Sequence, residues 1–175
     1  MEFFWGLLSL SNEWFMWIFL CAALIVLYLL LRFLVWKDER PEERLVFKRF
    51  LFVFLVSIVV AVLLIQGMKS TLQVPRPCVP CTDNVSGCNP YCPPLWDYSF
   101  PSGHAGTIFV LFTSFFMVFR RRWFLPFFLF PALVAYSRVA LGVHTYADVI
   151  SGSFLGILIP IIAWEIENRY NVLKA

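Results

Sequence analysis

The chain has 175 residues, of which 61% are hydrophobic and only 14% are charged. A soluble domain normally carries about 25% charged residues, so this composition excludes an ordinary soluble fold and indicates one membrane-embedded domain. The formal net charge is only +3, and no basic run is interleaved with exposed aromatic residues. The charge pattern therefore argues against a nucleic-acid partner.

The amino-terminal part of the chain predicts one interfacial segment and two membrane spans. Residues 3–11 are apolar but too short to cross a bilayer, so we expect a short helix that lies in the interface. An apolar run covers 14–36, a charged stretch follows at 37–49, and a second apolar run covers 50–68. Both runs have about the 20 residues that a membrane-spanning helix needs.

A long polar segment, 69–103, separates these spans from three more. It contains seven of the 11 prolines and four of the five cysteines. Further apolar runs at 104–119, 123–138 and 146–164 predict the remaining spans. The chain as a whole predicts an all-α, polytopic membrane helix bundle with about five transmembrane helices and one Cys- and Pro-rich loop.

The basic residues predict how this bundle is oriented. With five spans, 11 of the 14 Lys and Arg residues fall on one side: Arg32, Lys37, Arg40, Arg44, Lys48, Arg49, Arg120, Arg121, Arg122, Arg169 and Lys174. By the positive-inside rule that side is cytoplasmic. We therefore expect a plasma-membrane protein whose amino terminus and long loop face outward and whose carboxyl terminus is cytoplasmic. Glu165 and Glu167 predict a solvated helix end on the cytoplasmic side.

The hexapeptide Phe100–Ala105 is a polar turn that opens directly into an apolar run. Ser102 is placed to cap the helix that follows, and Gly103 to offer its backbone amide. The start of a helix presents free N–H groups and the positive end of its dipole, which together bind anions such as phosphate. His104 at this point places a proton donor beside the bound anion.

The three basic residues on the outward side flank the two histidines of the chain. Their spacing is Lys69-x6-Arg76-Pro, then Pro-Ser-Gly-His104, then Ser-Arg138-x5-His144-x3-Asp148. These three segments, in this order, resemble the signature of the type 2 phosphatidic-acid phosphatase superfamily, which also contains vanadium haloperoxidases and bacterial acid phosphatases. The resemblance covers about 80 residues, from Lys69 to Asp148, and the apolar runs around it are similar to the membrane branch of the family.

The resemblance implies a role for each residue. His144 would attack phosphorus to give a phosphohistidine, with Asp148 four residues later on the same helix face to hold its imidazole. His104 would protonate the leaving oxygen and then deprotonate the attacking water. The phosphate oxygens would be bound by Lys69, Arg76, Arg138, Ser102 and the amide of Gly103. No cofactor or catalytic metal is implied, since three cations neutralise the charge that a metal would otherwise neutralise.

Each residue taken singly also has a structural interpretation. His104 could be a capping histidine, the pair His144 and Asp148 a structural hydrogen bond, and Lys69 or Arg76 a lipid-headgroup anchor. Arg138 beside an apolar span already favours function, because charge is expensive there. The spacing of these six residues taken together favours a phosphatase site over the separate structural roles.

Cys78, Cys81, Cys88 and Cys92 form a compact set in the loop. Their spacing fits a structural zinc site of four thiolates, but an extracytoplasmic loop favours oxidation to two disulfides. We expect the disulfides, in any of the three pairings that four cysteines allow.

The activity that these expectations favour is hydrolysis of a lipid phosphate or diphosphate, most of all a polyprenyl diphosphate of the undecaprenyl or dolichyl type. Phosphatidate and phosphatidylglycerophosphate are the alternative substrates. A lipid phosphotransferase and a non-catalytic lipid-binding membrane protein are the rivals from other classes. The expected partners are the lipid substrate and the bilayer, and the sequence carries no prediction of oligomeric state.

Overall fold

The computed structural model describes residues 41–81, 87–93, 97–119 and 122–170. They form four α-helices, α1 (Pro41–Leu72), α2 (Gly103–Phe119), α3 (Leu129–Ala140) and α4 (Tyr146–Tyr170), with a 3-10 helix, Arg122–Phe128, before α3. Within these ranges there is no β-strand, only an isolated bridge between Pro80 and Asn89. The all-α prediction is confirmed, whereas the predicted segments 3–11 and 14–36 lie outside the described residues.

In the part of the chain that the structure describes, three helical stretches are long and apolar enough to cross a membrane: Leu45–Leu72, Arg122–Ala140 and Tyr146–Tyr170. The helix α2 is also apolar but has only 17 residues. Both α1 and α4 extend beyond the apolar runs, because the Glu, Lys, Arg and Leu residues at their ends are good helix formers. As a result Lys69, which was predicted to open the loop, lies in the last turn of α1.

The helices α1, α2 and α4 pack around one apolar core. Phe54 and Ile58 of α1 form a buried cluster with Val110 of α2 and Ile159 of α4. Lipid tails are as apolar as these side chains, so close packing rather than escape from water holds such helices together in a bilayer.

Backbone contact between α2 and α4 is allowed by three glycines. A Cβ added at Gly152 or Gly156 of α4 would lie far closer than 3.0 Å to a carbonyl oxygen of the α2 segment, that of Ser102 or of Gly106. Gly152 and Gly156 are four residues apart, the small-xxx-small spacing that lets two membrane helices approach. This approach holds the start of α2 against the first turns of α4.

The predicted span 123–138 is not one regular α-helix. Its first part is a 3-10 helix that contains Pro126, and α3 begins only at Leu129. Proline lacks an N–H and its ring clashes with the preceding turn, which disfavours a regular α-helix here. No residue of this 3-10 helix is buried, although Phe124 stacks on Phe112 of α2 at 5.6 Å.

The far end of the bundle differs from the sequence prediction. Glu167 is fully buried rather than solvated, and its carboxylate lies 3.1 Å from Nε of Arg49 on α1. The guanidinium of Arg49 also lies over the ring of Trp164, 5.8 Å from its centroid. An acidic residue enters a helix interface in this way only when a cation pairs with it.

The Cys-rich loop is cross-linked by two disulfides, Cys78–Cys92 and Cys81–Cys88. This confirms the disulfide prediction and selects one of the three pairings. The zinc alternative is wrong for this structure, because sulfurs bonded in pairs are not thiolate ligands. The side chain of Asn89, which lies within the loop closed by Cys78–Cys92, donates to the carbonyl of Leu141 at 2.7 Å and so ties the loop to the turn after α3.

Candidate active site

The end of α3 places Arg138 and His144 next to each other. Gly142 adopts a φ of 67°, in the left-handed region that favours glycine. Its N–H donates to the carbonyl of Val139 at 2.9 Å. The N–H groups of Val143 and His144 both donate to the carbonyl of Arg138, at 3.1 and 3.2 Å. This is a Schellman cap, and it accounts physically for the five-residue spacing between the arginine and the histidine.

The start of α4 brings Asp148 to His144. The carboxylate of Asp148 accepts the N–H of Thr145 at 2.7 Å, and the hydroxyl of Thr145 accepts the N–H of Asp148 at 3.3 Å. This is a capping box. Nδ1 of His144 lies 3.4 Å from Oδ2 of Asp148. Because His144 precedes the helix, the capping box, and not the predicted shared helix face, sets this proximity.

Ser99 completes the support of the imidazole, although no sequence motif predicts this role. Its buried hydroxyl donates to Oδ2 of Asp148 at 2.5 Å and lies 3.3 Å from Nδ1 of His144. On the other side of the ring, Arg76 lies 3.0 Å from Nε2. An arginine can only donate, so Nε2 carries the lone pair and Nδ1 carries the proton.

The start of α2 is held in the same place by backbone contacts. The N–H of Ser102 donates to the carbonyl of Asp148 at 2.9 Å, and the carbonyl of Ser102 accepts the N–H of Gly106 at 3.1 Å. Gly103 is the first residue of the helix, so its N–H has no intrahelical partner. The hydroxyl of Ser102 does not cap the helix as predicted. It is buried and has no hydrogen-bond partner among the described residues.

Lys69 and Arg76 meet at the carboxylate of Asp97, which no sequence motif predicts either. Nζ of Lys69 lies 2.6 Å from Oδ1 of Asp97, and Nη2 of Arg76 lies 2.8 Å from Oδ2. Nε of Arg76 donates to the backbone carbonyl of Asp97, and Nη1 donates to that of Val143, at 2.8 and 2.9 Å. Asp97 therefore holds both cations, and Arg76 is also bonded to the turn that carries His144.

Four buried polar atoms at this end of the bundle have no partner in the part of the chain that the structure describes. They are Oγ of Ser102, Nε2 of His104, and Nε and Nη1 of Arg138. A buried guanidinium left unpaired is unfavourable by several kcal/mol. Arg138, Arg76 and Lys69 lie close enough for their positive charges to act on His104, so these residues belong to one site. An anion with several acceptor oxygens is the ligand that satisfies them together.

Burial lowers the pKa of His144 to about 4, and the charges of Arg76 and Arg138 act in the same direction against the hydrogen bond to Asp148. The imidazole is therefore neutral at physiological pH, the state in which its free nitrogen is nucleophilic. Burial alone would raise the pKa of Asp97. The hydrogen bonds and charges of Lys69 and Arg76 outweigh burial and lower that pKa below its ordinary value. Asp97 is therefore ionised.

The structure places all eight predicted site residues at one end of the bundle. They come from the end of α1, the loop after it, the start of α2, the end of α3, the turn before α4 and the first turn of α4. Local sequence signals indicate part of the supporting structure, because Thr145-x-x-Asp148 is a capping-box sequence and Gly142 is a helix-stop signal. Asp97 and Ser99 carried no such signal, because their partners are distant in the chain.

A family model described as the PAP2 superfamily matches residues 50–171. The chain therefore belongs to this superfamily, as its motifs indicated, and with its long apolar helices it is a membrane protein. An undecaprenyl-diphosphatase from Sulfolobus acidocaldarius is 34% identical over an alignment of 128 residues, and the match covers 68% of this chain and 56% of the relative. The chain thus spans little more than half the length of that relative. The crystal structure of Aquifex aeolicus LpxE shares the fold, with a TM-score of 0.54, 23% identity and 93% of each chain covered.

Proposed function

We propose that this protein hydrolyses a lipid phosphate or diphosphate through a phosphohistidine intermediate and without a catalytic metal. The observation that carries this proposal is the state of His144. Its Nδ1–H faces Asp148 and Ser99, and its Nε2 presents a lone pair beside the cations. Membership of the superfamily and the unpartnered buried donors around the site support the same reaction.

The first step transfers the phosphoryl group to the enzyme. Nε2 of His144 attacks phosphorus as the bond to the leaving oxygen breaks. His104, which is protonated once the negatively charged phosphate is bound beside it, gives its proton to that oxygen. Arg76 donates to Nε2 in the unliganded site, so its Nη1 must turn from the nitrogen to a phosphate oxygen before attack. Asp148 stabilises the charge that develops on the imidazole.

The second step releases inorganic phosphate. A water molecule attacks the phosphohistidine, His104 takes its proton, and the bond between nitrogen and phosphorus breaks to restore neutral His144. In both steps charge resides on the equatorial oxygens of the phosphoryl group. Arg138, Lys69 and Arg76 are the cations that neutralise it, and Ser102 and the amide of Gly103 donate to it.

The substrate that we favour is a polyprenyl diphosphate. The relative from Sulfolobus acidocaldarius bears the name undecaprenyl-diphosphatase, and the apolar helices beside the site would let a long tail stay in the bilayer. Phosphatidate and phosphatidylglycerophosphate offer the same phosphate chemistry with other tails. They remain the alternative substrates.

We further infer that the site faces outward, on the side away from the many basic residues, with the carboxyl terminus in the cytoplasm. The two disulfides beside the site support this orientation, because disulfides persist in oxidising compartments. A membrane-impermeant thiol reagent applied to intact cells after mild reduction tests it. Labelling of Cys78 and Cys92 is expected, and labelling only after the cells are broken would reverse the orientation.

The deciding experiment measures phosphate release by the detergent-purified protein in excess EDTA. The substrates are a polyprenyl diphosphate, phosphatidate and phosphatidylglycerophosphate, and His144→Ala is the test variant. We expect release that EDTA does not reduce and that the variant abolishes, together with an acid-labile phosphoprotein in the wild type. Release that survives His144→Ala would refute the nucleophile. Phosphoryl transfer to an added acceptor without free phosphate would indicate a phosphotransferase, and binding without turnover a lipid-binding protein.

A further inference from the structure

The carboxylate of Asp97 forms ion pairs with two of the three cations of the site. One oxygen contacts Nζ of Lys69 at 2.6 Å and the other contacts Nη2 of Arg76 at 2.8 Å. The lysine and arginine side chains are 9% and 7% exposed, whereas that of Asp97 is 32% exposed. A partly solvated carboxylate thus reaches inward and meets both cations where they are buried.

The third cation, Arg138, differs in its hydrogen bonding. Nε and Nη1 of Arg138 are buried without a partner in the described ranges, as is the hydroxyl of Ser102. Arg138 therefore keeps donors that an anion can use, whereas Lys69 and Arg76 already pair with an anionic group of the protein. A phosphate that binds to all three cations must take Lys69 and Arg76 from Asp97.

The ion pair between Asp97 and Arg76 also affects the nucleophile, His144. The backbone carbonyl and the carboxylate of Asp97 fix Nε and Nη2 of Arg76, and this orientation directs Nη1 to Val143 and to Nε2 of His144. While Asp97 holds the guanidinium, the lone pair of the nucleophile accepts a hydrogen bond. Release of Arg76 from Asp97 and exposure of Nε2 are then parts of one rearrangement.

We propose that Asp97 is a positioning residue that competes with phosphate for Lys69 and Arg76. This inference rests on the proposed function. In the empty site the carboxylate keeps the two buried cations paired and in place. In the product complex it takes them back from inorganic phosphate, which weakens product binding and favours release.

The test compares the affinity of orthophosphate in matched variants. Asp97→Asn keeps the shape of the side chain and removes its charge, whereas Asp97→Glu keeps the charge. Glu165→Gln removes an exposed carboxylate near the other end of α4 and serves as the control. The measurements are the inhibition constant of orthophosphate against lipid hydrolysis and its binding followed by thermal unfolding.

We expect Asp97→Asn to bind orthophosphate at least about tenfold more tightly. A neighbouring charge typically shifts the pKa of an ionised group by one unit or more, and one unit corresponds to a tenfold change in an equilibrium constant. KM for the lipid should fall with it while kcat does not rise. Asp97→Glu and Glu165→Gln should keep the wild-type affinity. If Asp97→Asn does not fold, Asp97→Ser removes the same charge and is measured in its place.

Orthophosphate binding that is unchanged or weaker in the neutral variant overturns the competition, because Asp97 would then only hold the cations in place. The thermal-unfolding measurement of binding needs no turnover, so this result is separate from the failure of the proposed function. That failure would be a wild-type protein that binds orthophosphate and releases none from any lipid. Tighter binding by the neutral variant would still support the role of Asp97 in that case.

Discussion

Gly152 is the point where α4 lies closest to the turn that carries Ser102, and alanine at this position should separate the two. An added Cβ would lie 3.1 Å from the carbonyl carbon of Ser102, 3.3 Å from the amide nitrogen of Gly106, and closer still to the Ser102 oxygen. All three are backbone atoms, so no side chain can rotate away and α2 must move. A displacement of about 1 Å in a catalytic group can lower turnover by about 100-fold.

We therefore expect Gly152→Ala to lower kcat by about two orders of magnitude. The assay is metal-free phosphate release from a polyprenyl diphosphate by protein that remains monodisperse in detergent. Gly67→Ala is the matched control, because a Cβ on that α1 residue meets nothing within 4 Å. A Gly152→Ala protein with the wild-type kcat and melting temperature would refute the view that this helix contact positions the site.

Four further outcomes follow from the site. His104→Ala should slow the hydrolysis of a lipid phosphate far more than that of p-nitrophenyl phosphate, whose leaving group departs without a proton; equal losses would contradict the role as general acid. Ser99→Ala should lower kcat by about tenfold at constant KM, because it removes a hydrogen bond to the charged Asp148. Asn89→Ala should lower the free energy of unfolding by about 1 kcal/mol and reduce kcat, since its side chain ties the disulfide loop to the turn before α4. Activity should be bell-shaped in pH. The lowered pKa of His144, about 4, keeps its nucleophilic neutral form at mildly acidic pH, so the acidic limb of kcat/KM falls below the ordinary histidine value of about 6.5.

Controls for these outcomes come from the same chain. Ser70→Ala is the control for Ser99→Ala, because it also removes a hydroxyl that donates a hydrogen bond, here to the carbonyl of Gly67 at 2.9 Å. This bond lies at an exposed position, so kcat should not change. A kcat that Ser99→Ala leaves unchanged would show that the imidazole needs no support from that hydroxyl. For Asn89→Ala the contradicting result is an unchanged melting temperature. A pH profile without an acidic limb down to pH about 4 would contradict His144 as the nucleophile.

The parts of this protein that sequence alone determined are those encoded within a few residues. Apolar runs predict membrane helices wherever they are long enough, because the backbone must satisfy its hydrogen bonds internally in lipid. The spacing from Arg138 to His144 is one helix cap, and that from Thr145 to Asp148 is another. Such local hydrogen bonding depends on neighbours in the chain, so the spacings are visible in the residues themselves.

Tertiary structure decided the contacts that join distant segments. Asp97 meets Lys69 across 28 residues, and Ser99 meets Asp148 across 49. Glu167 is buried only because α1 brings Arg49 to it. These pairs depend on how the helices pack, which in turn depends on close backbone contacts such as that of Gly152. Charge and polarity in one segment do not reveal which buried partner another segment will supply, so these residues had no signal in the sequence.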